Sequence, residues 1–488
     1  MTRAIFLACL ALAVPAIADP SPWETAGESP TPAGGPLAAS LRTLARDART
    51  LPPERQLRET PPDQDDAAAV ADPGPASSAP LGFEAALRRA LVANASVGQA
   101  RAEVGVATAQ KRGALSAVLP RLQATGGLIR NSEEAAFGAP PNERVILPLN
   151  DWNFRLLLSQ PIFAGMREIR AYDQAKEGVR AAEQGVRATE DRTLLRVAAE
   201  YISVVGGDAL IEVGRQTLAL AEERLRQARD FFEAGEATRV DVVRAESAVK
   251  AAERTIALAR RDRGVAAGQL RVDLDLEGDI VVAEPRLDLP PRPDEALLIQ
   301  RAEDTRADLR QARSALRISE LEISKQKGAY LPTVTADAGY VWQKTTFPSD
   351  RYGYAALRLG VPIWTSGEIG ARLAVARERE RQTRLAYEEA LRTVREEVRR
   401  SLLNLDTAET SLQLSREQLQ AAEAEYEQVS DLYRNQEATS LDIQSSEATL
   451  ADARRAVVVS DLARLLAGLE VYFAAGDLKS AVLKEALP

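Results

Sequence analysis

Two incompatible hydrophobic periods alternate along this chain. Near residue 121, Leu122, Ala124 and Leu128 alternate with Arg121, Gln123 and Thr125. Near residue 333, Val334, Ala336, Ala338, Tyr340 and Trp342 alternate with Thr333, Thr335, Asp337, Gly339 and Gln343. Returning segments place Phe154, Leu156 and Leu158, then Ala355, Leu357 and Leu359, at the same spacing of two. This period predicts strands with one apolar and one polar face. Elsewhere the apolar positions recur at three and four. One seam reads Ile211, Gly214, Leu218, Ala221, Leu225, Ala228 and Phe232; another reads Leu412, Ser415, Leu419, Ala422, Tyr426, Val429 and Tyr433. Alternating three-four spacing predicts coiled-coil contacts between long helices, and the many small residues allow close backbone approach.

The elements come in the same order twice. A helix over 83–116 ends before Leu119-Pro120, then come strands, a long helix from Arg167 to Glu233, the turn Ala234-Gly235-Glu236-Ala237 and a helix from Thr238 to about Leu270. The second series is a helix over 294–327, Leu331-Pro332, strands, a long helix from Glu368 to Arg434, a turn and a helix over 439–473. Pro161-Ile162 recurs as Pro362-Ile363, Asp241 as Asp442 and Glu246 as Glu447, each 201 positions later. A duplication of this kind predicts two units packed on each other, with function on the assembled object. At 1.5 Å per residue each long helix reaches ~100 Å. The predicted organisation is an export signal over 1–18, a tether over 19–80, a first repeat over 81–283, a Pro-rich connection over 284–293, a second repeat over 294–473 and a tail over 474–488.

Composition narrows the function. Met1-Thr2-Arg3, the apolar run Ala4 to Val14 and Ala16-Ile17-Ala18 predict a secretory signal peptide cleaved after Ala18. The lone cysteine, Cys9, lies inside it, so neither a disulfide nor a lipidated cysteine is expected in the mature protein. The chain has no histidine, which removes the commonest general base and transition-metal ligand. A formal charge of −9 opposes nucleic-acid binding, and no GxxxxGK[ST] loop is present. Neither enzyme activity, a cofactor nor a metal is expected. Residues 19–80 are rich in Pro, Ala and acidic side chains and read as a tether, with one amphipathic stretch over 37–49.

Alternation alone fits a soluble sheet as well as a membrane sheet. Aromatic residues near the strand ends, Trp152, Phe163, Tyr352, Tyr354 and Trp364, suit interfacial girdles. Four predicted strands fall short of the roughly 8 that a closed membrane barrel needs, and lipid forbids open sheet edges. A barrel therefore requires several chains.

The chain resembles the TolC-type outer-membrane factor family over about residues 81–473. The resemblance rests on Leu119-Pro120 and Leu331-Pro332 at helix-to-strand junctions, and on Gln160-Pro161-Ile162-Phe163-Ala164-Gly165 and Val361-Pro362-Ile363-Trp364-Thr365-Ser366-Gly367 at strand-to-helix junctions. It rests also on the turns Gly235-Glu236-Ala237-Thr238-Arg239-Val240-Asp241 and Gln436-Glu437-Ala438-Thr439-Ser440-Leu441-Asp442. The resemblance implies a mainly α protein with membrane β: a long coiled-coil periplasmic barrel, and four strands per chain in a shared twelve-stranded barrel of a homotrimer. It implies an outer-membrane exit duct of a tripartite efflux pump or type I secretion system, served by a periplasmic adaptor (membrane fusion protein) and an inner-membrane ABC or proton-driven transporter.

The same resemblance assigns candidate residues. Asp442 matches an inward-facing acidic ring at the tunnel entrance; the second acidic position one turn later is Ser445. Asp241 and Tyr433 match a hydrogen-bonded pair that keeps the tunnel closed. The basic residue of a further link is replaced by Ala438, with Arg239 and Arg434 nearby as substitutes. Adaptor contact is expected at Gly235, Glu236, Ala237 and Thr238, and at Gln436, Glu437, Ala438 and Thr439. Bland readings compete: an Asp in a first helical turn complements the helix dipole, Thr238 and Thr439 suit N-caps, and Tyr433 lies on the seam. The rival for the whole chain is a non-conducting periplasm-spanning scaffold or a surface adhesin.

Overall fold

The computed structural model describes residues 80–138, 144–285, 294–345 and 349–483. The expected signal peptide, nearly all of the tether, and the connection beyond Pro285 lie outside the described residues.

Each repeat begins with a helix that the sequence pattern runs together and the structure breaks. In the first, α1 (Phe83–Ala93) and α2 (Ala95–Ser116) meet at Asn94, whose extended backbone (φ −67°, ψ 126°) interrupts the helix. The Asn94 carboxamide accepts from Ser96 N at 3.0 Å and donates to Asp273 at 3.1 Å, so the break is capped and tied down at once. The long helix α3 (Arg167–Glu233) and its partner α4 (Arg239–Leu274) follow. In the second repeat α5 (Glu295–Thr305) and α6 (Ala307–Lys327) break at Arg306, before α7 (Glu368–Arg434) and α8 (Ser440–Ala474). Neither break carries Gly or Pro, which is why periodicity missed both.

The two breaks are held by inverted charges at equivalent positions. Arg196 of α3 pairs with Asp273 at 2.8 Å. Its counterpart 201 positions on is Glu397, which takes the buried Arg306 at 2.6 Å. Arg306 also meets Asp308 at 2.7 Å. The first repeat also has an apolar core in which Tyr201 is fully buried, stacks edge-on with Phe83 and donates to the carbonyls of Leu81 (2.7 Å) and Ala283 (2.6 Å). It thereby pins both ends of the first repeat. Residues past Phe473 add a short helix, α9 (Leu478–Leu483), whose Leu478, Val482 and Leu483 join that core.

The helices approach closely where the seam is small. A Cβ on Gly214 would stand 2.8 Å from Ile256 of α4, and one on Gly206 would collide with Leu462 of α8. The second-copy seam is buried or half-buried from Leu412 to Tyr433. The first holds as far as Ala228, but Phe232 is exposed and Phe231 faces inward instead.

Between the helices runs one antiparallel sheet of β1 (Arg121–Arg130), β4 (Asn150–Ala164), β5 (Thr333–Gln343) and β6 (Arg351–Gly360), in that order. A small hairpin of β2 (Ala135–Phe137) and β3 (Arg144–Leu147), not foreseen in the sequence, lies in the β1–β4 connection. The register settles the faces. Leu122 pairs with Leu158, Leu156 with Tyr340, Ala338 with Ala355, and Val334 with Leu359, so the four apolar rows form one continuous face. Leu128 is 89% exposed on it and Leu357 71%. The opposite face carries Arg121, Gln123, Thr125, Asn153, Arg155, Ser159, Thr335, Asp337 and Arg358. Two of the expected girdle residues are corrected here. Tyr352 pairs with Val341 and Tyr354 with Gly339, on the polar face, because they are out of phase with Ala355 and Leu357. The Tyr354 ring fills the space above Gly339. Trp152 and Trp342, 5.0 Å apart on the apolar face, are the aromatic pair at that sheet end.

Among the described residues no helix is long and apolar enough to cross a membrane. One consequence of two half-buried carboxyls, Glu200 and Asp191, is testable. Burial, together with the neighbouring Asp273 carboxylate, pushes Glu200 up to about 7, and burial pushes Asp191 up to about 6. Both stay protonated more readily folded than unfolded, so their contribution is full below the ordinary carboxylate range and is lost as pH rises through about 6 to 7. The thermal midpoint of detergent-purified protein should fall over that window, and Glu200→Gln should flatten the fall; identical profiles would contradict this.

Candidate functional site

The site lies where the two helical hairpins turn. In the first, Gly235 adopts φ +78° and the amides of Glu236 and Ala237 return to Phe231 O at 2.8 and 3.1 Å. In the second, Gln436 takes the same left-handed conformation (φ +62°), and Glu437 and Ala438 return to Leu432 O at 2.8 and 3.3 Å. The turn geometry is shared; only the first copy has glycine where left-handed backbone favours it.

Each turn ends in a capping box. Asp241 Oδ2 accepts from Thr238 N (3.0 Å) and Oγ1 (2.7 Å), and Asp442 Oδ2 accepts from Thr439 N (2.9 Å) and Oγ1 (2.6 Å). These bonds favour the ionised carboxylates and hold both below the ordinary aspartate range. The N-cap reading of Thr238 and Thr439 thus describes the local geometry. Asp442 is exposed, and its second oxygen has no partner among the described residues.

Asp241 differs. It is half-buried, and its Oδ1 accepts from Ser440 of the other hairpin, the leading cause of its lowered pKa. The hydrogen bond expected from Tyr433 is taken by Ser440 in this structure. Tyr433 is buried, packs its ring at 5.8 Å from Phe231, and has its pKa raised by burial, with the Asp241 charge adding to the rise. Asp241 and Tyr433 therefore share one neighbourhood without a direct bond. Of the substitutes for the missing basic residue, Arg434 pairs with Asp431 of its own helix at 3.2 Å. Arg239 is exposed.

Two further links cross between the hairpins. Gln436 donates to Glu236 at 2.5 Å between the turn tips. Deeper, Arg224 of α3 meets Glu447 of α8 at 2.7 Å, with side chains only 3% and 12% exposed. Burial raises the Glu447 pKa while Arg224 opposes the rise. The repeat equivalent of Glu447, Glu246, pairs at 2.9 Å with Arg229 inside its own hairpin and is half exposed. One duplicated glutamate thus serves a surface contact in the first copy and a buried clasp in the second. Arg224 and Glu447 were missed as a pair. The available signal was an arginine between Ala221 and Ala228, on the buried side of a small-residue seam. Val240 and Leu441, equivalent and both exposed (57% and 61%), stand beside the two capping boxes.

The Outer membrane efflux protein family matches residues 86–273 and 298–477, one segment in each repeat. The chain belongs to that family. It is 24% identical over 326 residues to the Outer membrane efflux protein BepC of Brucella suis, covering 66% of this chain and 71% of that one. It is 27% identical over 413 residues to the Pyoverdine export outer membrane protein OpmQ of Pseudomonas aeruginosa, covering 81% and 85%. The fold superposes on the Campylobacter jejuni CmeC outer membrane channel with a TM-score of 0.69 at 17% identity, over 81% of this chain and 86% of that one. The protein is an outer-membrane efflux protein.

The clasp has a measurable signature. Arg224→Met alone strands the buried Glu447 and should destabilise the hairpin contact by about 3 kcal/mol; Arg224→Met with Glu447→Leu should restore most of it. Hydrogen exchange of the α3 and α8 amides around these residues reads the difference, and equal protection in all three proteins would contradict the assignment. The Asp241–Ser440 link is fully present above the ordinary aspartate value of 3.8 and is lost as pH falls through its lower folded value.

Proposed function

We propose that three copies of this chain close one twelve-stranded barrel and act as the exit duct of a tripartite efflux pump, shut at its periplasmic end by the paired turns. The observation that carries the reading is the sheet: one continuous apolar face, one polar face, and two edge strands, β1 and β6, without a neighbour among the described residues. Unpaired backbone groups are not tolerated in lipid, and three such sheets joined edge to edge satisfy every one of them. A periplasmic scaffold or an adhesin has no need of an exposed apolar sheet face, so the non-conducting alternative is disfavoured.

In this reading, Asp442 from three chains forms a ring of carboxylates at the entrance. Its exposed, ionised oxygen suits cation binding there. Asp241, Tyr433, Ser440, Arg224 and Glu447 hold the two hairpins of each chain together behind the ring. With Ser445 in place of a second acid, the constriction is a single ring. The turns Gly235–Thr238 and Gln436–Thr439 meet a periplasmic adaptor, with Val240 and Leu441 giving the adaptor two equivalent apolar contacts per chain. An inner-membrane ABC or proton-driven transporter supplies the energy. The relative OpmQ, which exports pyoverdine, favours a small-molecule cargo.

Two measurements test the proposal. Cysteines at facing positions of β1 and β6 should cross-link neighbouring chains into trimers. Asp442→Ala should raise single-channel conductance and weaken block by multivalent cations. Monomers only, or an unchanged conductance, would remove the barrel or the gate respectively.

A further inference from the structure

The polar face of the sheet is electrically unbalanced. It carries Arg121, Arg155 and Arg358 against Asp151 and Asp337. Arg358 lies 3.1 Å from the buried Asp337, so these two offset each other. Asp151 sits near the strand end that borders the hairpin β2–β3. Arg155 lies further in, flanked by Thr125 of β1 and Val341 of β5, and Arg121 lies at the opposite end beside Ser159. Both are exposed, and among the described residues neither makes an ion pair or a side-chain hydrogen bond. The apolar face is different: its arginines, Arg130 and Arg351, stand only at the strand ends, Arg351 over the Trp342 ring at 5.9 Å.

A guanidinium in mid-strand without a carboxylate partner is stable only where water or an anion reaches it. Threefold assembly turns each such residue into a ring of three, and rings of Arg in a pore favour anions. We propose that the barrel lumen is an anion-binding segment, with Arg155 as its principal ring and Arg121 as a second, in series with the acidic ring at the tip. This rests on the trimeric-barrel reading above. The solutes it favours carry phosphate, sulfonate or several carboxylates, groups that a planar guanidinium grips with two hydrogen bonds. A duct with acidic entrance and basic exit admits zwitterions and metal-chelating anions without holding either charge throughout its length.

The probe is inorganic tripolyphosphate, added to one side of a planar bilayer holding the intact protein. From the barrel side it should block the current, and the block should weaken as salt rises. Arg155→Gln, which removes all three guanidiniums of the ring at once, should need at least roughly tenfold more tripolyphosphate for half-block. Arg155→Lys should keep most of the block, Arg121→Gln should weaken it less, and Arg130→Gln, on the other face, should leave it unchanged. Channels that conduct but are not blocked from either side, or equal half-block in wild type and Arg155→Gln, would overturn the anion ring. The wild-type measurement decides this even if a variant fails to assemble. A preparation that yields no conductance at all would instead contradict the channel reading itself.

Discussion

The constraint on which the rest depends is the hydrogen-bonding demand of backbone placed in lipid. Four strands give each chain an apolar outer wall but leave the outer edges of β1 and β6 without partners among the described residues. In water such edges are a liability that side chains can manage; in hydrocarbon they are untenable. Everything else follows from meeting that demand with neighbours. The long helices then need only bury narrow seams, since α3 and α7 extend from a wall whose geometry is already set.

Duplication supplies the symmetry and divergence supplies the working parts. The two turns share one backbone form, and the two capping boxes share one chemistry. Against that background the departures are informative. Glu246 stays at the surface while Glu447 is buried against Arg224. Arg196 and Glu397 occupy equivalent sites with opposite charge. Asp241 accepts across from Ser440, whereas Asp442, at the exposed end, has one oxygen with no partner among the described residues. The second repeat thus binds to the first through residues that sequence symmetry makes look alike.

Much of this was legible in the sequence. Period two located the four long strands and their common apolar face, and the three-four seams located α3, α4, α7 and α8, because both patterns record burial directly. What periodicity could not carry was polar and local. The breaks at Asn94 and Arg306 arise from side-chain hydrogen bonds to distant partners, Asp273 and Glu397. Tyr352 and Tyr354 stand near a strand end, as girdle residues do, but counting from Leu357 places them on the polar face. The buried Arg224–Glu447 pair depends on which helices touch near the turns, which no single-helix pattern encodes. The candidate site was therefore located in sequence, while its bonding was visible only in three dimensions.

The central claim is that one face of the sheet meets lipid and the other meets water. Single cysteines placed at Leu128 or Leu357 on one face, and at Gln123 or Thr125 on the other, can be challenged with a water-soluble maleimide in outer-membrane vesicles. The account predicts rapid labelling at Gln123 and Thr125 and protection at Leu128 and Leu357. Equal labelling of the two faces, or the reverse pattern, would contradict it.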